Sequence, residues 1–453
     1  MSTIAAIATP NAAGGIGIIR ISGDEALTIT EKCFKSYSGK KITDMEGYRA
    51  AYGQVYENDS PIDEAVVIVY RAPKSYTGEN VCEICCHGGI YIMNKVLRLI
   101  FSLGAIPSEP GEFTKRAYLN GKMDLAQAES VMNVISASGE AALNAARNTL
   151  KGSVSKKIGE ICSSLISSAA ALAAWSDYPD EDIPAVENGA LLTTLNSAGK
   201  ELQKLLDRYD SGKAVTQGVN TVICGKPNVG KSTLMNVLSG CERSIVTSVA
   251  GTTRDIIEET VRVGDILLRL ADTAGIHETS DEVESIGVNL AKDRMETADL
   301  ILAVFDVSRP LDSEDRELLE ICSKKRCLAI INKSDLSPEF SATDIEKYIP
   351  RCITLSAKNE ESTDVIKTEL ENILGTAGLD FSQEMLAAGR QYECAKKAKD
   401  CINEAVTALE AGYTVDAVNV SIDCAIEHLL TLTGKKASEE IVNEVFSKFC
   451  VGK

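Results

Sequence analysis

The sequence has no uninterrupted run of 18 or more apolar residues, so we expect no membrane-spanning segment and no membrane partner. Its start, Met1-Ser2-Thr3-Ile4, has no basic stretch before the first apolar residues, which argues against a signal peptide. The 14 cysteines form no disulfide-like framework, and several lie inside apolar runs. We therefore expect mostly buried free thiols in a cytoplasmic protein.

Positive charge is scarce relative to negative charge. Lys and Arg total 47 against 65 Asp and Glu, which gives a formal net charge of −18. Because nucleic-acid phosphates are bound by clustered Lys and Arg, this balance argues against broad, non-specific nucleic-acid affinity. It leaves room for a local basic patch or for a partner that supplies one.

The length of the chain suggests about three domains. Residues 1–120 show α/β patterning, residues 216–378 alternate strands and helices as a doubly wound sheet does, and residues 121–215 and 379–453 show helical periodicity. We therefore predict a multidomain protein, in which an α/β domain is inserted into an all-α helical domain built from two segments. The helices predicted in the first helical segment are Leu125–Ser138, Glu140–Leu150, Val154–Trp175 and Leu191–Tyr209.

A phosphate-binding loop lies near the start of the inserted domain. Residues Gly225 to Ser232 match the pattern G-x-x-x-x-G-K-[ST], after the strand-like run Val219–Cys224 and before helical spacing. The glycines let backbone N–H groups surround phosphate oxygens at a helix N-terminus. Lys231 supplies a positive charge for the terminal phosphates, and the Ser232 hydroxyl can ligate Mg²⁺. The sequence thus predicts a Ras-like P-loop domain.

Three later motifs, each after a predicted strand, indicate that the nucleotide is GTP. Asp272-Thr273-Ala274-Gly275 can reach Mg²⁺ and the γ-phosphate. In Asn332-Lys333-Ser334-Asp335, the carboxylate can accept hydrogen bonds from two guanine donors that adenine lacks. Ser356-Ala357-Lys358 would contact the base through its backbone. The predicted GTP-binding residues are Asn228, Val229, Gly230, Lys231, Ser232, Thr233, Thr247, Ser248, Val249, Ala250, Gly251, Thr252, Thr253, Asp272, Thr273, Ala274, Gly275, Asn332, Lys333, Asp335, Ser356, Ala357 and Lys358.

Two groups used by many GTPases are missing from these motifs. Ile276 stands where many GTPases have a water-positioning glutamine, and no in-chain arginine finger can be identified. Another group must therefore orient water and offset the developing charge. Thr253, in the segment Gly251–Asp255, is the expected second hydroxyl ligand of Mg²⁺. Asn228 suggests K⁺, since an asparagine at this loop position helps to hold that ion in potassium-activated GTPases.

Further motifs outside the inserted domain give the sequence a specific resemblance. Over essentially its full length it resembles the MnmE (TrmE) family of GTPases that act in 5-carboxymethylaminomethyl modification of tRNA uridine. The segments that carry the resemblance are Ala8-Thr9-Pro10, Gly14 to Gly23, Ser75-Tyr76-Thr77-Gly78-Glu79, His87-Gly88-Gly89, Gly111-Glu112-Phe113-Thr114, Leu119 to Glu129, Asp177 to Ile183 and Phe446 to Lys453.

The resemblance implies an N-terminal domain that forms a homodimer and binds a tetrahydrofolate one-carbon carrier, as the 5-formyl or 5,10-methylene form. Arg20, Glu79, Lys122 and Lys453 fall where the family contacts folate. Without the family, ordinary solvated surface charge would be the preferred interpretation of each. Cys450 falls near the same site, and both a reactive thiolate and a packing role stay open.

The resemblance also implies nucleotide domains that dimerise when K⁺ binds. Asn228, the Thr247 and Val249 backbones and Thr252 match the family's potassium loop. The glutamate that orients water through a bridging water falls on Glu284.

Two positions in this region qualify the correspondence. Glu282 is an alternative to Glu284, and His277 replaces a usual arginine. The implied partners are tRNA, whose wobble uridine is modified at C5, and the FAD-dependent protein MnmG (GidA), in a heterotetramer. FAD and NADH would belong to that partner.

Other interpretations remain open from the sequence. A GTPase switch acting in ribosome assembly is the main alternative, and a folate-dependent one-carbon transferase regulated by a GTPase is a third. Cys82, Cys85, Cys86 and His87 resemble a metal cluster, but in a strand Cys82 and Cys86 would face away from Cys85 and His87. We therefore favour a buried strand there.

Overall fold

The computed structural model describes residues 2–177, 187–240, 258–271, 295–359 and 361–453. Two compact units are present. The first combines Met1–Met132 with Leu429–Lys453, and the second is Asn133–His428. The first unit therefore contains both ends of the chain.

The first unit is built on a seven-stranded sheet with the order β3-β4-β5-β6-β2-β1-β7. Only β1 and β7 pair in parallel among these strands, and the other neighbours are antiparallel. In β5 the side chains alternate, with Ala65, Val67 and Val69 buried in the core. The strands are Ile4–Ile7 (β1), Ile16–Ser22 (β2), Phe34–Ser36 (β3), Arg49–Glu57 (β4), Ser60–Tyr70 (β5), Val81–His87 (β6) and Ile106–Pro107 (β7).

Helices complete the first unit. The core beneath the sheet includes Met93, Val96 and Ile100, which recur at helical spacing on α2. Phe446 lies against Tyr118 and Phe449, so the C-terminal segment packs on α3. The helices are Ala26–Cys33 (α1), Ile90–Ser102 (α2), Glu112–Leu119 (α3) and Leu125–Ser136 (α4), with a short 3₁₀ helix at Ile42–Asp44 and the last helix of the chain at Glu439–Ser447.

The cysteine-rich run near His87 is the strand that the sequence favoured. It forms β6, in which Cys82 and Cys86 are buried, Cys85 is half-buried and His87 is exposed. The His87 ring contacts the Asp63 carboxylate at 2.7 Å. The two faces of the strand therefore separate the four side chains as predicted.

The second unit contains most of the two helical segments. The predicted helices are present, and Glu140–Leu150 has the predicted bounds. The unpredicted helix Tyr209–Thr216 follows the last of them and leads into the nucleotide domain. The helices are Glu140–Leu150 (α5), Ser153–Asp177 (α6), Asn188–Asp207 (α7), Tyr209–Thr216 (α8), Gly389–Glu410 and Val415–Thr433, the last of which continues into the first unit.

Helix α6 is long and apolar enough, over Ser153–Ser176, to cross a membrane by length and composition alone. Serines and a few charged residues interrupt its apolar residues, so it contains no uninterrupted apolar run of 18 residues. One face is buried, along Val154, Ile158, Leu165 and Leu172, and a core helix of a soluble protein passes the same test. The absence of a membrane partner stays a prediction.

The nucleotide domain is a six-stranded sheet with the order β13-β12-β11-β8-β10-β9. Neighbours pair in parallel except the edge strand β9, which is antiparallel to β10. Strands β11 and β12 are buried along their whole length, as central strands covered on both faces are. The strands are Val219–Cys224 (β8), Glu258–Val263 (β9), Ile266–Ala271 (β10), Leu300–Asp306 (β11), Cys327–Asn332 (β12) and Cys352–Thr354 (β13).

Helices flank this sheet, and apolar side chains form a core on each of its faces. The helices are Lys231–Gly240 (α9), Ser313–Cys322 (α10), Ala342–Glu346 (α11) and Ser362–Leu374 (α12), so we number Gly389–Glu410 as α13, Val415–Thr433 as α14 and Glu439–Ser447 as α15. Since the parallel strands end at one edge, the loops after β8, β11, β12 and β13 meet there.

Candidate nucleotide-binding site

The phosphate-binding loop has a backbone that glycine and asparagine favour. It begins where β8 ends, at Cys224, and α9 begins at Lys231. The φ angles are 142° at Gly225, 63° at Asn228 and 103° at Gly230. A Cβ at Gly225 would meet the Val304 carbonyl, so glycine is required there. The loop can therefore turn its N–H groups towards an anion at the start of α9.

Lys231 lies across this loop. Its Nζ donates to the Gly225 and Lys226 carbonyls, both at 2.7 Å. Burial lowers the pKa of Lys231, because desolvation disfavours the charged form. The exposed Ser232 follows it in the first turn of α9. An ammonium group and an exposed hydroxyl at a helix N-terminus can hold phosphate and Mg²⁺.

Asn332, at the end of β12, joins three motifs. Its side chain is 3% exposed. Its Nδ2 donates to the Val229 carbonyl at 2.8 Å, and its Oδ1 accepts from the Ala357 N–H at 2.9 Å. The amide thus connects the phosphate-binding loop to the segment Ser356–Lys358. The amide therefore fixes the distance between the two loops that a bound ligand would contact.

The Asp335 carboxyl group is held in its ionised form, which accepts hydrogen bonds. A hydrogen bond from Ser356 and a backbone donor lower the pKa of Asp335, with the Lys358 and Lys333 charges as smaller causes. Lys333, with φ of 66°, extends its Nζ to Asp306 Oδ2 at 2.6 Å. An ionised acceptor at this position can receive the N1 and N2 donors of guanine.

Sequence reasoning missed the acidic groups around the loop. Asp306 ends β11 at the same sheet edge. Burial alone would raise its pKa, but the hydrogen bonds from Lys333 and Ser308 together outweigh burial and lower the pKa. Lys226 forms an ion pair with Asp312, which lowers the pKa of that carboxyl group to about 2. Arg309 Nη2 donates to the Pro227 carbonyl at 3.3 Å. Asp306 could have been predicted from the sequence, because it is the polar residue that ends an apolar strand.

Several predicted site residues lie outside the described residues, so their positions stay predictions. They are Thr247, Ser248, Val249, Ala250, Gly251, Thr252, Thr253, Asp272, Thr273, Ala274, Gly275, His277, Glu282 and Glu284.

Further predicted residues lie in the first unit, where two ion pairs form. We call Arg20, Glu79, Glu83, Arg116 and Lys453 the N-terminal ion-pair cluster. Arg20 bonds to Glu83 at 2.9 and 2.8 Å and to the Gly452 carbonyl at 3.2 Å. Burial lowers the pKa of Lys453, and the neighbouring Arg20 charge acts in the same direction. Sequence reasoning had found neither Glu83 nor Arg116.

Glu79 forms the second ion pair of this set, with Arg116. Its carboxylate accepts from Arg116 at 3.2 Å and from Ser22 at 2.7 Å. The side chains of Arg116 and Glu79 are 5% and 12% exposed. Because a carboxylate has about four acceptor positions, Glu79 keeps capacity for further donors.

Lys122 and Cys450 have different surroundings from the cluster. Lys122 Nζ donates to the Pro73 carbonyl at 3.1 Å, and the side chain lines a cavity of about 320 Å³ with Tyr118 and Gln127. The Cys450 carbonyl accepts from the Gly111 N–H at 3.3 Å, which attaches the C-terminal segment to the start of α3.

The mainly parallel sheet and the glycine-bearing loop at the start of α9 define a P-loop GTPase domain. The chain also matches two family models, "GTP-binding protein TrmE N-terminus" over residues 3–122 and "MnmE helical domain" over residues 125–450. The chain belongs to the MnmE (TrmE) family of tRNA modification GTPases.

Individual relatives agree with the family models over the whole chain. "tRNA modification GTPase MnmE" of Clostridioides difficile (strain 630) is 41% identical over 454 residues, covering 100% of this chain and 99% of the relative. The same-named protein of Alkaliphilus oremlandii (strain OhILAs) is 40% identical with the same coverage. Among solved structures, the FeoB G-domain from Methanococcus jannaschii is 22% identical and covers 35% of this chain and 97% of its own, with a TM-score of 0.26.

Proposed function

We propose that this chain is a potassium-activated GTPase that acts with an FAD-dependent partner. Together they would form the carboxymethylaminomethyl group at C5 of the wobble uridine in certain tRNAs. The full-length relatives bear the name tRNA modification GTPase, which supports this substrate. The partner would be MnmG in a heterotetramer with a homodimer of this chain, in the cytoplasm. We propose the same domain boundaries as the sequence predicts, with residues 1–120 and residues 216–378 as one domain each and the two helical segments together as a third.

The observation that carries the proposal is the geometry of Asn228. This residue is exposed at the tip of the phosphate-binding loop with φ of 63°, a conformation that asparagine tolerates better than most residues. None of the hydrogen bonds among the described residues uses its amide oxygen, so this atom could share a cation with a nucleotide phosphate. K⁺ there would supply the positive charge that an arginine finger supplies elsewhere. Thr247, Val249 and Thr252 would complete the ion's ligands.

The described residues fit Mg²⁺, the phosphates and guanine, and two predicted residues outside them would complete the site. Ser232 at the start of α9 would hold Mg²⁺ together with Thr253, and Lys231 would hold the terminal phosphates. Asp335 would select guanine. Glu284 would orient the attacking water.

The N-terminal ion-pair cluster fits a tetrahydrofolate derivative. Arg20 and the half-buried Lys453 lie close enough for their charges to interact, so an anionic glutamate tail would relieve their repulsion. Glu79 retains acceptor capacity for pterin donors. Lys122 would contact the same ligand at the edge of its cavity. The bound folate would supply the one-carbon unit.

Exchanging K⁺ for Na⁺ at constant ionic strength tests the ion. We expect GTP turnover to fall in Na⁺ by about 10²–10³-fold, the loss typical of removing one group that stabilises transition-state charge. Asn228→Gly keeps the positive φ and removes the amide, so it should abolish the difference between the two ions. Asn58→Gly is the matched control, because Asn58 also has a positive φ, of 47°. Equal turnover of the unaltered protein in both ions would reject the potassium proposal.

Mass analysis of wobble uridines in a deletion strain tests the biological role. We expect the carboxymethylaminomethyl group to disappear and to return with the wild-type gene but not with Asn228→Gly. Unchanged uridines would contradict the proposal, and accumulated ribosomal precursors with normal uridines would favour the ribosome-assembly alternative.

A further inference from the structure

Two cysteines and a histidine converge in the helical part of the second unit. Cys401 lies on α13, and Cys424 and His428 lie on α14. Their Sγ and ring-nitrogen atoms all lie within 4.8 Å of one another, and the two sulfur atoms are 2.8 Å apart. None of the three belongs to the nucleotide site or the N-terminal ion-pair cluster. The grouping therefore calls for a separate explanation.

The fold brings the three side chains together in two ways. Cys424 and His428 are four residues apart on one helix, so they lie one turn apart on the same face. Cys401 comes from the preceding helix, which ends at Glu410 only a few residues before α14 begins at Val415. Such a short connection makes consecutive helices neighbours. The approach of Cys401 thus depends on tertiary structure.

We propose that Cys401, Cys424 and His428 form a zinc-binding site. Two thiolates and one imidazole are ligands that Zn²⁺ prefers, and two thiolates balance its charge. Three protein ligands leave a fourth position for water. Cys401 is buried, while Cys424 and His428 are half-buried, so the site has a protected side and a solvent side.

The distances allow the ion after a small adjustment. With Zn–S bonds of about 2.3 Å in tetrahedral geometry, two ligand sulfurs lie roughly 3.8 Å apart. The sulfurs would separate by about 1 Å from their present 2.8 Å contact, which side-chain rotation supplies. The alternative is a Cys401–Cys424 disulfide. The position of His428, one turn from Cys424, favours the metal because a disulfide has no use for a third ligand.

A bound ion would link α13 to α14. Since a ligand that binds only the folded state stabilises that state, zinc should raise the melting temperature of the protein. This link makes the helical segment responsive to zinc supply.

The experiment uses the full chain without a polyhistidine tag, purified in the presence of a reductant. Zinc is measured by elemental analysis and by competition with a chromophoric chelator. We expect one equivalent in the unaltered protein. In Cys401→Ser and His428→Asn the affinity should fall by at least ~10-fold, the lower range for loss of even an outer-shell partner. Cys394→Ser, on the same helix as Cys401, is the matched control and should retain zinc.

Cobalt substitution adds a readout that a structural role alone would not produce. Co²⁺ in the unaltered protein should show a thiolate-to-metal charge-transfer band that Cys401→Ser weakens. No zinc binding by the unaltered protein would overturn the proposal even if a variant fails to fold. So would equal zinc affinity in Cys401→Ser and Cys394→Ser, or a mass map showing a Cys401–Cys424 disulfide in metal-free protein that resists zinc loading.

Discussion

The phosphate-binding loop and the N-terminal ion-pair cluster both hold a cation against oxygen acceptors, but their partners lie at different distances along the chain. Lys231 is held by carbonyls five and six residues away. Arg20 is held by groups 63 and 432 residues away. A local site is visible as a motif, whereas a site built from distant segments is visible only after folding.

The two regions also differ in how their charges are satisfied. The ammonium group of Lys231 contacts neutral carbonyls, so its positive charge remains available to phosphate. In the N-terminal ion-pair cluster, Arg20 faces Glu83 and Arg116 faces Glu79. The loop can therefore bind an incoming anion. The ion pairs of the cluster instead stabilise the first unit, in addition to any part they take in ligand binding.

The largest expected effect comes from breaking the buried pair. Arg116→Met removes the cation that faces Glu79 and Glu112 in a site that is almost closed to solvent. We expect a loss of about 3–5 kcal/mol in the free energy of unfolding, as for a buried charge left unpaired. Hydrogen exchange of β2 and β6 measures it. Lys115→Met, one residue earlier on α3, should have little effect, and unchanged exchange in Arg116→Met would show that the pair is not structural.

A smaller effect should follow from removing the bridge at Asn332. Asn332→Ala leaves the Val229 carbonyl and the Ala357 N–H without this partner. We expect a loss of about 1–3 kcal/mol for each buried group, together with weaker GTP binding. Denaturation followed by Trp175, in the same compact unit, measures the stability. The exposed Asn359→Ala is the control, and equal stability of the two variants would contradict the bridge.

The smallest effect concerns pH. The Ser356 hydrogen bond is the first cause of the lowered pKa of Asp335, so Ser356→Ala should raise that pKa towards its usual value. A carboxyl group with a lowered pKa stays ionised to lower pH, so GTP affinity should be lost at higher pH in Ser356→Ala than in the unaltered protein. Binding of a fluorescent GTP analogue below about pH 5 measures the midpoint.

The control for this prediction is Ser341→Ala, which removes a similar serine–aspartate contact at Asp344, outside the site. Its midpoint should match that of the unaltered protein. A common midpoint for all three proteins would show that Ser356 does not tune Asp335.

Much of the nucleotide domain could be predicted because its signals are local. The runs at Val219–Cys224 and Cys327–Asn332 are apolar and short, as covered parallel strands are, and the turn residues that follow them carry the motifs. Helix α5 has its predicted bounds for the same reason, since its apolar residues recur at helical spacing. The sequence did not predict that the edge strand β9 is antiparallel, because the relative direction of two strands depends on how they pair in the sheet.

The contacts that join motifs were beyond sequence reasoning. Asn332 was predicted to contact the nucleotide, but its bonds to Val229 and Ala357 depend on how β8, β12 and β13 lie in the sheet. Glu83 and Arg116 carried no motif and were found only through their bonds to Arg20 and Glu79. Cys401 and Cys424 looked like ordinary buried thiols until two helices placed them together.

The sequence by itself identified most helices of the helical segments, the main motifs of the nucleotide domain and the family, because each depends on side-chain chemistry within a few residues. Only the tertiary structure decided which charges face one another, which amide connects the loops and which thiols meet a histidine. Those arrangements depend on packing between segments up to hundreds of residues apart, and no local pattern encodes that packing.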